Sequence, residues 1–326
     1  MGESGDYSVT VTVPIYNSSR FIDDCLRYIS EQTYDILEVI FVVDERTTDG
    51  SEQLLKEKAK TLGNVRVVMQ SDDGGLAGAR NIGIRESKGD VIWFLDVDDI
   101  PHLTFLEELI RVMKETDSDM AICNNFQTFE RKMLNIPNKD YSYTVVDGSY
   151  AVEHYTDYPI YSWSRIQKRS VFSEESVFRS RPAAEDIEQT IRQYAVSKKV
   201  CYYNKPLYVY VKSKRTASAN NRSKELKSLE LTAKSILPFV KERLPENYNG
   251  FKKTFLLNMM RQSTFSKYHS YREWYSSSCC RLLVKNAAEK TFEMKVFSVS
   301  KTLYYLILFP FSHCIWDRKK GLWDKS

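Results

Sequence analysis

Acidic side chains gather in a few short stretches of this sequence, and most of these stretches follow an apolar run. VVDERTTDGS carries Asp44, Glu45 and Asp49. QSDDGGLAGARNIG carries Asp72 and Asp73, then the Gly74–Gly75 pair and Arg80. FLDVDD carries Asp96, Asp98 and Asp99, and RPAAEDIEQT carries Glu185 and Asp186. Carboxylates brought together in this way repel one another unless a cation or a donor-rich ligand lies among them. Oxygen ligands at this density suit Mg²⁺ or Mn²⁺. A divalent ion held there can bridge a diphosphate and neutralise the charge of a departing group. Each piece alone has an ordinary alternative. A lone D-x-D is common in loops, Gly74–Gly75 can be a turn, Arg80 a surface charge and Asp72–Asp73 a solvated turn. Glu185 and Asp186 can be helix N-terminal acids that favour the macrodipole. The order and spacing of all the pieces together argue against these readings.

The elements that must position these residues alternate between strand and helix. Val9–Val13 is β-branched throughout and predicts a strand that ends at Pro14. Ser18 or Ser19 is a candidate cap for a helix whose stripe is Phe21, Ile22, Cys25, Leu26 and Ile29. Leu37–Val43 is nearly continuous and apolar, as parallel strands covered on both faces are. Asp49 can cap a second helix running to about Leu62. Val65–Met69 predicts a third strand and Leu76–Ser87 a third helix, with Gly89 at the position of a C-cap glycine. Val91–Leu95 predicts a fourth strand. This βαβαβαβ order implies a mostly parallel sheet with right-handed crossovers. In such a sheet ligands bind at the carboxyl ends of the strands, which is where the first three acidic stretches fall. Further on, the pattern predicts a helix over Leu103–Glu115, a strand over Met120–Asn124 and a helix over Ala184–Ser197. Two short strands, Val200–Tyr203 and Leu207–Val211, are expected around Pro206. From about Ser223 the pattern is helical, with Ile236, Phe239, Val240 and Leu244 on one face.

The 326 residues are 42% hydrophobic and 28% charged, enough for a sizeable core and unlike a disordered chain. The net charge of +4 conceals an asymmetry. Residues 1–212 hold 25 Lys and Arg against 34 Asp and Glu, a net −9, and residues 213–326 hold 22 against 9, a net +13. Two units with different partners are expected, 1–212 and 213–326, the second basic and helical. The six cysteines form no CxxC pair and no metal-ligand spacing with His, which reads as reduced core thiols in a cytoplasmic protein. MGESGDYS at the start is polar, without an apolar signal segment, and no stretch reaches the length of a spanning helix.

The stretch VTVTVPIYNSSRFIDDCLRYISEQTYDILEVIFVVDERTTDGS, then GGLAGARNIG, then GDVIWFLDVDD, resembles the family 2 glycosyltransferases with a GT-A fold, over roughly Ser8–Arg215. The resemblance implies a Rossmann-like, mostly parallel α/β sheet flanked by helices. It also implies inverting, single-displacement transfer from a nucleoside-diphosphate sugar, with a UDP-sugar favoured on the resemblance alone. Carried over, the pattern makes Pro14, Tyr16 and Asn17 the start of the nucleotide pocket, beside Asp44 and Gly75, and Glu45 the acidic residue at the base. Arg80 falls beside the acidic cluster and the diphosphate. Asp98 becomes the more direct ligand of Mn²⁺ or Mg²⁺, with Asp96 nearer the ribose. Asp186 becomes the general base, next to Glu185. Apart from the family pattern, Trp163 and Tyr161, upstream of that base in IYSWSRIQKRSVF, are by residue type candidate stacking partners for an acceptor sugar, with core packing as their alternative. The sequence departs from the family's Asp-Asp-Gly-Ser, reading Asp44-Glu45-Arg46-Thr47, which leaves the nucleotide base open. It also lacks the Q-x-x-R-W motif of processive synthases, so one sugar per event is expected.

Two other functions compete. A sugar nucleotidyltransferase needs a Gly-rich N-terminal phosphate loop, and VTVPIYNSS has none. A non-catalytic nucleotide-sugar-binding protein fits the Glu45–Arg46 departure. The expected acceptor is a glycan or glycolipid of the cell envelope. The basic tail, with Leu303–Phe311 apolar and Arg318, Lys319 and Lys320 after it, fits an anionic membrane surface with Trp316 and Trp323 at headgroup level. Packing on the catalytic domain, or a homo-oligomer contact, is the alternative. Nucleic acid is not expected, since no nucleic-acid motif is present.

Overall fold

The computed structural model describes residues 6–72, 74–133, 135–137, 139–180, 185–212 and 222–265, with the side chains of 227–259 in the last segment. Asp73, Cys279, Cys280, Cys314, the Leu303–Phe311 run, Trp316 and Trp323 lie outside the described residues.

The first ninety residues build β1 (Val9–Ile15), α1 (Ser19–Ser30), β2 (Glu38–Asp44), α2 (Ser51–Ala59), β3 (Val65–Gln70), α3 (Gly75–Glu86) and β4 (Val91–Phe94). Then come β5 (Ile100–Pro101), α4 (Phe105–Thr116), β6 (Met120–Thr128), β7 (Tyr143–Asp147), α5 (Gly148–Glu153), β8 (Arg165–Lys168), α6 (Glu185–Val196) and β9 (Lys199–Val211). The described strands form one sheet in the order β3-β2-β1-β4-β8-β6-β9-β5, with β7 also paired to β9. β3, β2, β1 and β4 are mutually parallel, and β8 enters antiparallel between β4 and β6. This is the expected α/β architecture. All of β2 and β4 and nearly all of β1 are buried, because helices cover both faces. Cys25, Cys123 and Cys201 are free and buried, as expected of core thiols.

Several boundaries differ from the sequence reading for local reasons. β1 continues through Pro14 to Ile15, paired with Val42 and Val43 of β2. The β4 ladder stops at Thr12↔Phe94, so on that side Pro14 lies beyond the strand partner that would want its N–H. Neither Ser18 nor Ser19 caps α1 with its side chain. Asp49 does, across the fold: its Oδ2 accepts the Ser19 N–H at 2.7 Å while Oδ1 accepts from Ser51 N at 3.1 Å. Burial alone would raise this carboxyl, but hydrogen bonds from Ser51 and Ser19 outweigh it and hold the group at about 2. α2 begins after Gly50 in the left-handed region (φ 84°) and ends at Ala59, short of Leu62. Gly89 is not a helix C-cap. α3 ends at Ser87 in extended conformation, and a Cβ on Gly89 would lie 2.7 Å from Thr10 N, so its role is close packing under β1. The two strands expected around Pro206 are one strand, β9. Its register against β6 shifts between Cys123↔Tyr203 and Asn124↔Pro206, and this irregularity accommodates the proline.

Two compact units divide the chain, one of Met1–Ala151, Tyr158–Arg181 and Glu185–Thr216, the other of Val152–Asp157, Pro182–Ala184 and Ala217–Ser326. In the second, α7 (Arg222–Arg243) and α8 (Tyr248–Phe265) carry the buried Leu229, Ala233, Ile236, Val240, Phe251, Phe255 and Leu256. Phe239 and Leu244, expected on the same face, are half-buried. Tyr155 is buried against the Phe251 and Phe255 rings and accepts Asn258 Nδ2 at 2.7 Å. No described helix is long and apolar enough to cross a membrane.

A tight packing constraint lies where α3 crosses β1. A Cβ on Gly83 would stand 2.0 Å from Thr12 Cγ2, and Thr12 is a fully buried β-branched side chain that cannot swing away. Gly83→Ala is expected to cost about 1–3 kcal/mol of stability through overpacking. Thr12→Ala in the same chain should recover most of it, because the Thr12 hydroxyl is buried without a partner. Thermal melts of the single and double variants check this, and a Gly83→Ala melt equal to wild type would contradict it.

Candidate active site

The strand order places the crevice. From β1 the chain lays β2 and β3 to one side, then crosses back to put β4 on the other, so the carboxyl ends of β1 and β4 flank a topological switch point. Asp96 follows β4 there and Tyr16–Asn17 follow β1.

At the centre stands Arg80, on the second turn of α3 and only 1% exposed. Its Nη1 donates to Glu185 Oε1 at 3.0 Å and Asp186 Oδ1 at 3.1 Å, and its Nη2 to Asp96 Oδ1 at 3.2 Å. Burial disfavours the cation, but the charges of Asp186, Asp96 and Glu185 outweigh it and raise the guanidinium's affinity for its proton. The surface-charge alternative for Arg80 is therefore excluded. The D-x-D after β4 and the Glu-Asp pair at the start of α6, about ninety residues apart in sequence, meet on one side chain. The next residue, Asn81, reinforces the join: its amide donates to Phe178 O at 2.9 Å and accepts from Phe178 N at 2.8 Å.

The three aspartates after β4 have separate environments. Asp96 is pushed up to about 6 by burial and by the charges of Asp98 and Asp186, against the pull of Arg80. Asp98 is raised by burial, its own backbone N–H and the more distant Arg131 and Arg20 offsetting only part of it. No side-chain donor among the described residues bonds its carboxylate. Asp99 is 1% exposed and turned away into the sheet, where Oδ1 accepts the Val211 N–H at 2.9 Å. Burial raises it strongly, so it serves the β5–β9 junction. The donor set fits a divalent cation. Asp96 and Asp98 are hard oxygen ligands whose buried charges are under-compensated. No group of three or more His, Cys, Asp or Glu among the described residues is arranged to hold a metal unaided. Mg²⁺ and Mn²⁺ are ordinarily bound by one or two carboxylates completed by substrate phosphates.

After β1, Asn17 takes φ 47° and its Oδ1 accepts the Thr48 N–H at 2.9 Å, tying the loop after β1 to the loop after β2. Tyr16 is 59% exposed beside it. Pro14, in β1, leads into this loop. Asp44 is buried at the end of β2 and gripped by Arg46, whose Nε lies 2.8 Å from Oδ1 and Nη2 2.5 Å from Oδ2. That hydrogen bonding holds Asp44 below the usual carboxylate range. Glu45 is exposed, its N–H donating to Gln70 O at 3.0 Å. Gly75 opens α3 at φ 55°, a conformation that favours glycine.

At the start of α6, Glu185 is pushed up to about 7 by burial and the Asp186 charge, Arg80 opposing. Trp163 is 3% exposed, its ring stacked on Tyr161 at 4.7 Å and on Tyr208 at 4.5 Å. It has no free face for a sugar, which corrects the stacking expectation for this residue in favour of core packing. The half-buried Tyr161 keeps more of its surface. Sequence reasoning missed Ser162, whose hydroxyl lies 2.5 Å from Asp186 Oδ1, and Arg131, whose Nη1 donates to Asp98 O at 2.6 Å. Neither carries a motif signal. The Arg46 grip on Asp44 was foreshadowed by the departure from glycine at that position.

These shifts give a stability sign. Glu185 and Asp96 keep their protons in the folded chain to higher pH than their ordinary values of 4.5 and 3.8. Ionising them in place therefore opposes folding, with no effect below about pH 4 and growing as pH rises through 6 and 7. Glu185→Gln is expected to melt above wild type at pH 8, with the gap closing towards pH 4.5. A variant melting below wild type at pH 8 would reverse the sign of the argument.

Residues 10–176 match the family described as Glycosyl transferase family 2. Glycosyltransferase GlyA of Streptococcus pneumoniae is 28% identical over 215 residues, covering 63% of this chain but 30% of GlyA. The chain thus spans less than a third of that relative's length. Among solved structures, S. aureus TarS 1-349 in complex with UDP-GlcNAc superposes with a TM-score of 0.63 at 19% identity, over 97% of this chain and 90% of that one. Mannosyltransferase PcManGT from Pyrobaculum calidifontis, in complex with GDP-Man and Mn²⁺, superposes with a TM-score of 0.54 at 19% identity, over 99% and 89%. At these identities the superpositions speak to the fold, which is the same α/β fold. The match over half the chain takes in β1 through β8, including the D-x-D strand and the Arg80 helix, and the chain belongs to glycosyl transferase family 2.

Proposed function

We propose that this protein is an inverting glycosyltransferase that moves one sugar from a nucleoside-diphosphate donor to an acceptor hydroxyl. The observation that carries the reading is the meeting of Asp96, Glu185 and Asp186 on the buried Arg80. Direct displacement at an anomeric carbon needs a proton acceptor on one side and charge stabilisation at the leaving diphosphate on the other. Asp186 is the base and takes the proton of the attacking hydroxyl. Asp98, with Asp96, would hold Mn²⁺ or Mg²⁺, which would neutralise the charge developing on the diphosphate. No covalent nucleophile is required. The loops carrying Tyr16, Asn17, Asp44, Glu45 and Gly75 bind the nucleotide. The GDP-Man and Mn²⁺ complex of one structural relative and the UDP-GlcNAc complex of another support a metal and a nucleotide sugar in this fold.

In this reading residues 1–212 are the catalytic domain and 213–326 a basic region. The +13 charge of that region suits an anionic acceptor surface, a cell-envelope glycan or glycolipid at the cytoplasmic face of a membrane.

Two substitutions should separate the two sides of the reaction. Asp186→Asn keeps the shape of the side chain but cannot take a proton, so turnover should fall by roughly 10²–10⁴-fold with donor affinity nearly intact. Asp98→Ala should instead lose binding of the nucleoside diphosphate with Mn²⁺, and a chelator should reproduce this in wild type. Calorimetry beside a transfer assay reads both. Near wild-type turnover in Asp186→Asn would move the base elsewhere, and full activity in excess EDTA would remove the metal from the mechanism.

A further inference from the structure

Asp186 has its own clamp, built from a segment that the motif pattern does not touch. Residues Ser162–Ser164 form a single 3₁₀ turn ahead of β8. The turn is closed by its own bonds, Ser164 N at 3.2 Å and Ser164 Oγ at 2.8 Å to Tyr161 O. It is fixed to the donor strand because Trp93 Nε1 of β4 donates to Trp163 O at 3.2 Å. It is fixed to the helix of the base because Thr190 Oγ1 of α6 donates to Ile160 O at 2.8 Å. Ser162 is fully buried in this turn, and its hydroxyl donates to Asp186 Oδ1 at 2.5 Å. A carboxylate acceptor makes that a short, charge-assisted bond.

We propose that Ser162 is a positioning residue for the acceptor-side base: together with Arg80 it holds Oδ1 of Asp186, leaving Oδ2 as the atom that takes the proton. The proposal rests on Asp186 being the base. Both hydrogen bonds to the carboxylate among the described residues fall on Oδ1, from Ser162 at 2.5 Å and Arg80 at 3.1 Å, and none falls on Oδ2. Two donors on one oxygen fix the rotation of the carboxylate about its terminal bond, which is otherwise a broad and soft torsion. Oδ2 then accepts the acceptor's proton as the new C–O bond forms at the anomeric carbon. The old C–O bond breaks, and its electron pair leaves with the nucleoside diphosphate. Arg80 alone cannot set this orientation, since its Nη1 is shared with Glu185. A simple space-filling role for Ser162 would predict no coupling to Asp186, and this is the point on which the two readings part.

The test is a double-mutant cycle on the full chain. Wild type, Ser162→Ala, Asp186→Asn, the double variant and Ser162→Thr are assayed with Mn²⁺. The probe is whichever of UDP-GlcNAc, UDP-galactose, UDP-glucose and GDP-mannose wild type turns over fastest, read as release of nucleoside diphosphate. Ser162→Ala should lower kcat about 10-fold with donor KM within about 2-fold, since a misaligned base costs rate and not binding. Ser162→Thr, which keeps the hydroxyl, should restore kcat to within about 3-fold of wild type. In the Asp186→Asn background Ser162→Ala should change kcat by less than about 2-fold, because its effect passes through a base that is already absent. Unchanged kcat in Ser162→Ala, or a full additional loss in the double variant, overturns the assignment to Ser162 while leaving Asp186 as base. Wild-type turnover retained in Asp186→Asn overturns the base and this proposal together, as does wild-type inactivity on all four donors.

Discussion

A single guanidinium, sealed from solvent among three carboxylates, is the interaction on which the rest of the site depends. Arg80 brings to one point a residue after β4 and two at the start of α6. Buried ion clusters of this kind add little net stability, because desolvating the charges offsets their attraction. Removing Arg80 is another matter: it leaves three carboxylates buried without their cation, at a cost of about 3–5 kcal/mol. The cluster therefore fixes geometry more than it strengthens the fold. Its position depends in turn on how closely α3 can approach the sheet. A Cβ on Gly78 would lie 2.5 Å from Gln70 Nε2, and one on Gly83 2.0 Å from Thr12. The glycines of GGLAGARNIG seat the helix, and the seated helix aims Arg80.

Charge in the crevice is deliberately out of balance. Asp96, Glu185 and Asp186 share the Arg80 guanidinium, Asp98 has only the more distant Arg131 and Arg20, and the raised proton affinities of Asp96, Asp98 and Glu185 express the excess of negative charge. Burial removes the water that would otherwise screen it. At the end of β2 the balance is reversed: Asp44 is buried too, but Arg46 grips both its oxygens and holds it ionised. One aspartate is thus locally neutralised at the end of β2, and an under-compensated group is left after β4, where the proposed function would place phosphate oxygens and a cation.

Much of this was legible from the sequence because strand periodicity and strand ends are local properties. β1 to β4, α3 and the acidic edge follow from apolar runs and what comes after them. The misreadings share one cause, contacts between distant parts of the chain. Asp49 caps α1 from thirty residues away, so the serines beside that helix need not. Gly89 resembles a C-cap glycine by position but answers to the backbone of β1. Pro206 resembles a strand breaker, yet the register shift against β6 absorbs it. Trp163 looks like a sugar platform by type, and Tyr161 and Tyr208 cover it. Ser162 was invisible for the same reason: a lone serine gains meaning only from the carboxylate that folds onto it.

The three aspartates of FLDVDD show how one short segment divides its labour by environment. All three are the same chemical group within four residues, and each is raised by burial. Asp96 is tethered to Arg80, which fixes its orientation and ties it to Glu185 and Asp186. Asp99 points into the sheet, accepts a backbone N–H from β9 and has its proton affinity raised by burial. Asp98, between them, is half-exposed and bonded by no described side chain, so it alone combines charge, access and freedom to bind. A cation drawn to this edge meets Asp98 as the unclaimed ligand and Asp96 as the fixed one. In the proposed reading, that asymmetry would let the donor side respond to a metal while Arg80 holds Asp96 against Glu185 and Asp186.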